Sequence, residues 1–354
     1  AWAVAAPLGL WQPAALPLPL AVAIAAWLML AMQWPHRVGQ ALMFAVLLPV
    51  ALYTPARPAE NEFEALVFDV GQGSAILVST ATHTLLFDAG ARYRSGYDVG
   101  EQVVLPYLSR NQTPLNRVVL SHADTDHVGG ATALLASPVA RVADVLANFP
   151  ASDLPYPLAG PLPPWTACQA GVQWVWDGVL FEVMSPEPAT FGDDLEPAWL
   201  ADVPKRRNGL SCVLRVSNAA QAIWLTGDMT QAAEVAVLSR RADALTMGQW
   251  QHVGAANRLV MASHHGSQSA NSVEWLDALR PDWVVAQAGY RNRYRHPAAA
   301  VQQRWAAGGD GWGMQWVETA WCGAAIWRSI DPAAVTCERE AHPRAWQHRE
   351  EAAR

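Results

Sequence analysis

The segment from Ser121 to Gly130 reads SHADTDHVGG and places two histidines and two aspartates within six residues. These residues, His122, Asp124, Asp126 and His127, follow the apolar run VVL and precede the helix-like stretch HVGGATALLA. Imidazole and carboxylate groups are the ligands with which proteins hold zinc, manganese or iron. The spacing therefore predicts one wall of a metal site.

Other acids and histidines stand where a predicted strand stops. Asp88 ends TLLFDAG, Asp228 ends AIWLTGD, and the pair His264 and His265 ends LVMASHHGS. Each has a simpler interpretation: Asp88 as a turn residue, Asp228 as a helix N-cap, and the histidine pair as a polar loop. One shared site explains all of these positions together. We therefore expect the strand ends to converge on one rim of a sheet and to form a two-metal hydrolytic centre.

Short strands broken by turn residues must position this rim. From Phe63 the sequence reads EALVFDV, SAILVS and TLLFDAG, with Gly71 and Gly73 allowing a tight turn between the first two. The stretch VGEQVVLPYLSRN has a helical pattern, and NRVVLSH is a strand that leads into the motif. A hairpin is predicted around Asp177 and Gly178, followed by strands that alternate with helices. This order predicts a layered α/β fold with two β-sheets and helices outside.

The ordered motifs resemble those of known families. The pattern H-x-D-x-D-H with GG after it, a later TGD and a still later HHGS is similar to the metallo-β-lactamase fold, an αββα sandwich. The fuller string FDVGQG, FDAG, LPYL, SHADTDHVGG, NGLSCVL, LTGD, SHHGSQSANS and YRHP resembles the C-terminal domain of the ComEC family of DNA-uptake channels, from about Phe63 to Ile326. The resemblance implies a metallo-β-lactamase-like domain over 60–330, preceded by transmembrane helices.

The resemblance also implies a role for each matching residue and a cofactor of two divalent ions, Mn or Zn. One ion would be held by His122 and Asp124, the other by Asp126 and His127, with Asp228 bridging them and His265 as a further ligand. Asp126 and His264 are the expected catalytic residues, and His264 would contact a phosphate or donate a proton to the leaving group. Substrate contacts are expected from Asn208 and Ser211 in the N-x-x-S stretch and from His296 in the HP stretch.

Two departures from the family pattern bear on these roles. The family opening usually reads DVGQGD, and Ser74 stands here in place of the last acid. Many metallo-β-lactamase enzymes also supply another histidine before the bridging aspartate, whereas this chain has none from Val128 to Gln251. One metal position therefore lacks an imidazole, with Asn208 or water as its expected replacement.

Basic residues with neighbouring tyrosines are expected around the same rim. Solvated loops would also account for any one of these clusters. Arginine beside tyrosine nevertheless suits a phosphodiester strand, because it combines charge with base stacking. The expected substrate contacts are Arg92 and Arg94 in GARYRSGYD, Arg206 and Arg207 in PKRRNG, and Arg293 and Arg295 in GYRNRYRH.

The first 58 residues differ sharply from the rest, since Arg37 and Arg57 are their only full charges and all 31 acids lie from Glu60 onward. Two uncharged runs, Pro17 to Trp34 and Gly39 to Thr54, predict about two membrane spans at 1–58, the end of a transmembrane channel region in a longer polytopic protein. Two buried helices of a soluble domain are the alternative. Arg37 between the runs favours a cytoplasmic loop, which places the body on the extracytoplasmic side of the inner or plasma membrane.

A charged tail is expected over 331–354. The four cysteines form no CxxC pair, so a thiolate zinc site is not indicated, and spacing assigns no disulfide.

The expected function is hydrolysis of a phosphodiester in DNA by an extracytoplasmic domain that degrades the strand not imported during natural transformation. The expected partners are DNA, as a single strand or incoming duplex, the membrane and other competence proteins. Two other classes stay open: a non-catalytic DNA-binding clamp or gate of the channel, and a general metallo-hydrolase of small esters.

Overall fold

The computed structural model of the chain describes residues 18–32, 37–41, 45, 55–158, 160–188, 208–246, 252, 254–309, 313–345 and 347. Strands within these residues are β1 (Glu64–Val67), β2 (Ile76–Ser79), β3 (Thr84–Phe87), β4 (Arg117–Leu120), β5 (Asp144–Ala147), β6 (Trp165–Ala167), β7 (Gln173–Trp176), β8 (Val179–Ser185), β9 (Val213–Ser217), β10 (Gln221–Leu225), β11 (Ala256–Met261), β12 (Trp283–Ala286), β13 (Gln315–Glu318), β14 (Ala325–Arg328) and β15 (Asp331–Cys337).

Helices pack outside these strands, apart from the N-terminal one. They are α1 (Leu18–Ala31), α2 (Leu105–Arg110), α3 (Thr125–Val128), α4 (Ala131–Ala136), α5 (Gln231–Thr246), α6 (Val273–Leu279), α7 (Ala299–Gly309), α8 (Thr319–Cys322) and α9 (Glu338–Ala341). A π-helical turn at Gly100–Val104 runs directly into α2, as the helical pattern of this stretch predicts.

The strands form two mixed sheets. The first has the order β15-β14-β1-β2-β3-β4-β5-β6, and the second has the order β13-β12-β11-β10-β9-β8-β7. Strands β3 to β6 pair in parallel, as do β10 to β13, while the other neighbours are antiparallel. Parallel strands end at the same edge of a sheet, so each sheet presents a row of strand ends.

Alternate side chains of the strands enter different apolar layers. In β1, Ala65 and Val67 join the core between the sheets, whereas Leu66 packs with α2 and α4 on the outer face. In the second sheet, Ile223 of β10 joins the central core, and Trp224 packs outward against α5 to α7. Helices therefore cover both outer faces, and the αββα sandwich predicted from the sequence is confirmed.

The sheet extends beyond the boundary expected at 330. Strand β15 pairs antiparallel with β14, so the segment expected to be a charged tail begins with seven residues of sheet. Residues 333 and 334 of this strand are exposed, and such an edge strand lacks the apolar alternation that would have revealed it.

Two disulfides use all four cysteines. Cys168 directly follows β6 and Cys212 directly precedes β9, so their bond joins the two sheets, with 6.0 Å between the Cα atoms. Cys322 and Cys337 connect the end of α8 to the end of β15. The pairing depends on which strands end beside each other, and the spacing of the cysteines carries no such information.

The predicted membrane spans are only partly covered by the described residues. Helix α1 is uncharged and occupies 14 residues of the run from Pro17 to Trp34, and most of the run 39–54 lies outside the described residues. In the described part of the chain, no helix has both the length and the apolar character needed to cross a bilayer.

The two glycines of HVGG let backbone segments meet closely behind the motif. A Cβ atom at Gly130 would lie 2.5 Å from the Gly100 amide nitrogen and would overlap the Ala89 carbonyl oxygen. At Gly129 it would lie 2.5 Å from the Thr125 carbonyl oxygen. A side chain at either glycine must push the motif away from the loop after β3.

We predict that Gly130→Ala lowers the free energy of unfolding by about 1–3 kcal/mol, since overpacking of a tight contact costs this much. The midpoint of urea unfolding checks this. Gly254→Ala is the matched control, because a Cβ atom at Gly254 would meet open space. Equal midpoints for both variants would contradict the close contact at Gly130.

Candidate metal centre

The ends of three strands bring the predicted ligands together. His122 follows β4, Asp228 follows β10, and the 3-10 turn Ser263–Gly266 follows β11. The side chains of His122, His127, Asp228 and His265 are buried. Residues separated by more than a hundred positions thus meet at one rim between the two sheets, as the sequence predicts.

Asp228 lies at the middle of this group. Its Oδ1 is 3.1 Å from His127 Nε2 and 3.5 Å from His265 Nε2. Its Oδ2 is 3.3 Å from His264 Nε2 and 3.9 Å from His122 Nε2. The two carboxylate oxygens therefore face two different pairs of imidazoles.

Each side of Asp228 also has a second carboxylate. Asp124 Oδ2 lies 3.6 Å from His122 Nε2, and Asp126 Oδ2 lies 3.4 Å from His265 Nε2. Two sets of three residues could each hold a metal ion, because the ligand atoms within a set all lie within 4.8 Å of one another. The sets are His122, His127 and Asp228, and Asp126, His127 and His265. The expected metal ligands are thus all adjacent.

The arrangement fits a divalent cation better than a closed hydrogen-bond network. His122 Nε2 and Asp228 Oδ1 are buried, and neither makes a hydrogen bond of acceptable geometry with the described residues. Buried polar atoms are otherwise nearly always satisfied. Imidazole nitrogen and carboxylate oxygen are also the donor set that zinc takes in hydrolases.

Charge at the centre favours bound cations. Burial, the largest influence, opposes ionisation of Asp228, but the imidazoles of His127 and His265 outweigh it and hold the pKa of this carboxyl well below its ordinary value. Burial likewise opposes protonation of His127, but Asp228 and Asp88 outweigh it and raise the pKa of this imidazole. The carboxylates thus stay charged and attract a proton or metal to the same atoms.

Asp88 orients His127 and is not placed as a metal ligand. Its position at a strand end had made it a candidate ligand. Its Oδ2 accepts a hydrogen bond from His127 Nδ1 at 2.7 Å, and its Oδ1 accepts one from the Ser121 amide at 2.7 Å. Ser121 Oγ donates to the same carboxylate at 2.9 Å. With Nδ1 occupied, His127 presents Nε2 to the centre, a common arrangement around metal-binding histidines.

A second imidazole is oriented by the backbone. His265 Nδ1 donates to the Gln287 carbonyl at 2.8 Å, which leaves Nε2 facing Asp126 and Asp228. Gln287 is itself fixed, because its side-chain amide donates to the Phe68 and Ala75 carbonyls at 2.9 Å each.

The turn that carries His264 and His265 has an uncommon backbone, with φ of 52° and 56°. Consecutive left-handed residues other than glycine are strained and need support from their surroundings. Buried Asn271 supplies it, since its side chain accepts from the Ser263 amide at 3.0 Å and donates to the Ser263 carbonyl at 2.9 Å. No local sequence pattern distinguishes this asparagine from any other loop residue.

Glu234 of α5 fixes Asn271 in turn. Its carboxylate accepts from the Asn271 amide at 2.6 Å and from the Ser272 amide at 2.8 Å. Burial raises the pKa of Glu234, and hydrogen bonds from these groups oppose the rise. This residue was missed in the sequence because an acid in the first turn of a helix is common and needs no further role.

The expected substrate residues are placed unevenly. Asn208 Nδ2 lies 3.4 Å from both ring nitrogens of His264, and the hydroxyl of Ser211 is buried nearby in the chain. The His296 ring lies 5.8 Å from that of His264, between centroids, and stacks on Tyr294. Burial, helped by His265 and His264, lowers the pKa of His296 to about 4, so this ring is neutral at physiological pH.

Of the arginines, Arg295 lines a cavity with His296, and Arg293 hydrogen-bonds and packs on Tyr294. Arg92 lies over the Tyr156 ring at 4.2 Å and 3.8 Å from Asp98, while Arg94 is exposed in the same loop. Arg206 and Arg207 lie outside the described residues.

Ser74, which replaces the acid of the family opening, is buried beside the motif. Its amide donates to the Asp126 carbonyl at 3.1 Å, and its carbonyl accepts from the Gly90 amide at 2.7 Å. The position therefore supports the backbone of Asp126 through main-chain atoms that any residue supplies.

The family model of the metallo-beta-lactamase superfamily matches residues 68–152. "Competence protein ComA" of Neisseria gonorrhoeae is 34% identical over 295 residues, which cover 82% of this chain and 36% of that protein. "Recombination protein 2" of Haemophilus influenzae is 29% identical, covering 74% and 28%, and "ComE operon protein 3" of Bacillus subtilis is 27% identical, covering 69% and 30%.

Among solved structures, the metallo-beta-lactamase fold protein YhfI from Bacillus subtilis matches 76% of this chain with 10% identity and a TM-score of 0.45. The chain spans about a third of the length of the relatives named above. These relatives and the match to the metallo-β-lactamase superfamily show that the chain belongs to the ComEC family.

Proposed function

We propose that this chain contains a two-metal phosphodiesterase that hydrolyses DNA beside a membrane channel for DNA uptake. The main support for this proposal is the position of Asp228. Its two oxygens face separate sets of imidazole and carboxylate groups. The relative named "Competence protein ComA" supports DNA as the substrate. The uncharged helix α1 and the neighbouring apolar run support a membrane location for residues 1–58. Arg37 between the two runs favours the extracytoplasmic side for the body.

The ligand sets follow from the distances. Asp126, His127 and His265 would hold one metal with Asp228 Oδ1, and His122 and Asp124 would hold the other with Asp228 Oδ2. His264 would complete the second set, because its Nε2 lies 3.3 Å from the Oδ2 that also faces His122. It would supply the imidazole that this chain lacks between the motif and Asp228. Ser269 Oγ, 3.2 Å from His264 Nδ1, supports this orientation.

Metals bound in such a pair activate water and neutralise the charge that develops on phosphate oxygens. Asp126 and Asp124, each partly exposed, would hold their metals at the open side of the site, where the phosphodiester enters. Hydrolysis joins the water oxygen to phosphorus and breaks the bond to the leaving oxygen, which takes up a proton. Asn208, next to His264, would contact the phosphate through its amide.

A neutral imidazole at His296 fits a position beside the reacting phosphate. With its pKa lowered to about 4, this ring accepts a hydrogen bond through one nitrogen and donates through the other at neutral pH. We assign it to substrate contact together with Arg295, which belongs to the same loop. The ring contacts described above keep it next to His264.

We predict that the chain loaded with zinc or manganese cleaves labelled single-stranded DNA, and that Asp228→Ala or Asp126→Ala lowers the rate by at least about a hundredfold, the upper end for loss of an outer partner. Asp282→Ala is the matched control, since Asp282 pairs with Arg258 at another edge of the fold. Metal-loaded chain that binds DNA and leaves it intact would contradict catalysis and indicate a clamp.

We expect His264→Ala to lower the zinc content from two ions per chain to about one, as measured by elemental analysis after gel filtration. Asn208→Ala should keep both ions, because Asn208 contacts the His264 ring but is not placed here as a metal ligand. If His264→Ala retains two ions while cleavage is lost, His264 acts on the substrate. That is the role expected from the sequence, contact with a phosphate or proton donation to the leaving group.

Asp88→Asn should weaken zinc binding by about 10- to 100-fold, the usual effect of losing a carboxylate behind a metal-binding histidine. Asparagine has one acceptor oxygen where aspartate has two, and its amide nitrogen only donates, so it cannot accept from Ser121 and His127 through both side-chain atoms. Competition with a chromophoric chelator measures the affinity. Asp144→Asn, which alters the Arg117 pair on β4 and β5, is the control, and an equal effect in both variants would rule out the role of Asp88.

A further inference from the structure

A cavity of about 650 Å³ opens beside the candidate metal centre. We call it the Trp321 pocket. One wall is the loop from Gly289 to Pro297, and the other includes Glu318 of β13 and Trp321 of α8. Its volume is in the range of sites that bind small molecules or single building blocks of a polymer.

His296 connects the pocket to the centre. It lines the cavity, and its ring centroid lies 5.8 Å from that of His264 and 6.4 Å from that of His265. The next residue, Pro297, packs so closely on Gly266 that a Cβ there would lie 2.6 Å from the Pro297 Cβ. A group bound in the pocket therefore sits next to the histidines of the candidate metal site.

The loop wall is held in place before any ligand binds. Asn292 Oδ1 accepts from the His296 amide at 2.9 Å, and Asn292 Nδ2 donates to the carbonyls of Gly289 and His296 at 2.9 Å and 2.6 Å. Gly289 packs against the turn at Gly71, which in turn adjoins the metal motif. A wall fixed in this way loses little conformational freedom on binding.

The two walls differ in chemistry. Arg291 and Arg295 line the loop side, and the Arg291 guanidinium lies 5.1 Å from the Tyr290 ring centroid. Tyr290 and Trp321 meet edge to face, with centroids 5.3 Å apart. Guanidinium groups suit phosphates, and aromatic rings suit the flat faces of nucleobases.

The other wall carries a carboxylate. Glu318 Oε1 accepts from Gln302 Nε2 at 2.6 Å and from Trp316 Nε1 at 3.1 Å, which fixes its position in the pocket. A carboxylate repels phosphate and accepts hydrogen bonds from N–H groups, of which every nucleobase carries at least one. The base of a bound nucleotide would therefore point towards Glu318, with its phosphates towards the arginines.

We propose that the Trp321 pocket binds one unpaired nucleotide of the DNA strand, directly beside the linkage that is cleaved. The proposal rests on the proposed function and adds a determinant of substrate class. A base must leave its stack and its pairing to enter the pocket, so single strands are preferred to duplex. Recognition through stacking tolerates any base.

The test uses the complete 354-residue chain loaded with zinc and short single strands that carry one abasic nucleotide at successive positions. We expect one position, next to the cleaved linkage, at which loss of the base slows cleavage by about five- to a hundredfold, the range for one stacked base. In Trp321→Ala, intact and abasic strands should be cleaved equally slowly. Trp321→Phe should restore most of the difference, because it keeps a ring.

Two controls separate the pocket from the metal centre. Hydrolysis of bis-p-nitrophenyl phosphate, which carries no nucleobase, should fall much less in Trp321→Ala than cleavage of the intact DNA strand does. Arg280→Ala removes an exposed arginine at the end of α6 and should leave cleavage of DNA unchanged. A flat abasic profile in the wild type, with normal cleavage, would overturn the proposal and leave the proposed function intact.

Binding gives a separate readout if DNA is not cleaved. The anisotropy of a labelled oligothymidylate should show at least about fivefold weaker binding to Trp321→Ala than to Arg280→Ala. Equal affinities would overturn the pocket assignment. Weaker binding by Trp321→Ala in a chain that cleaves neither substrate would support the pocket and reject the phosphodiesterase.

Discussion

A buried carboxylate that must be neutralised from two sides determines this structure. Asp228 is almost completely buried, yet its surroundings keep it charged. An isolated carboxylate in such a place would take up a proton, because burial strongly disfavours the ion. The imidazoles around it come from β4 and β11, on either side of the sandwich, so the site exists only when both sheets are packed together.

The orientation of those imidazoles depends on groups behind them. Asp88 at the end of β3 fixes His127, and the Gln287 carbonyl after β12 fixes His265. Asn271 and Glu234 hold the strained turn that carries the histidine pair. These tertiary contacts stabilise the strained backbone, as is usual where a backbone must present functional groups. The glycines of HVGG allow the motif to approach the loop after β3 closely enough for these contacts.

Sequence reasoning could predict the αββα layers and the main ligands, because each ligand follows an apolar strand and strand ends share an edge. It could not distinguish Asp88 from a metal ligand. An acid at a strand end has the same sequence pattern whether it faces the metal centre or lies behind an imidazole. The place of His264 depends on two left-handed φ angles, which no local pattern encodes. Strand β15 and both disulfides were missed because they depend on which edges meet.

The pocket beside the centre extends the same architecture. The loop that forms its wall is joined to the metal motif through Gly289 and the Gly71 turn, and to the histidine pair through Pro297. Cleavage and strand recognition would thus be built on one rim, with arginines in the pocket wall. Arginines in this wall would give an acidic body a place to accept a polyanion.

The central claim is that Asp228 stands between two metals, and a crystal structure of the zinc-loaded chain with anomalous data at the zinc edge tests it most directly. We expect two anomalous peaks, one next to Asp228 Oδ1 with His127 and His265, and one next to Oδ2 with His122 and His264. A single peak, or two peaks on the same side of the carboxylate, would contradict it.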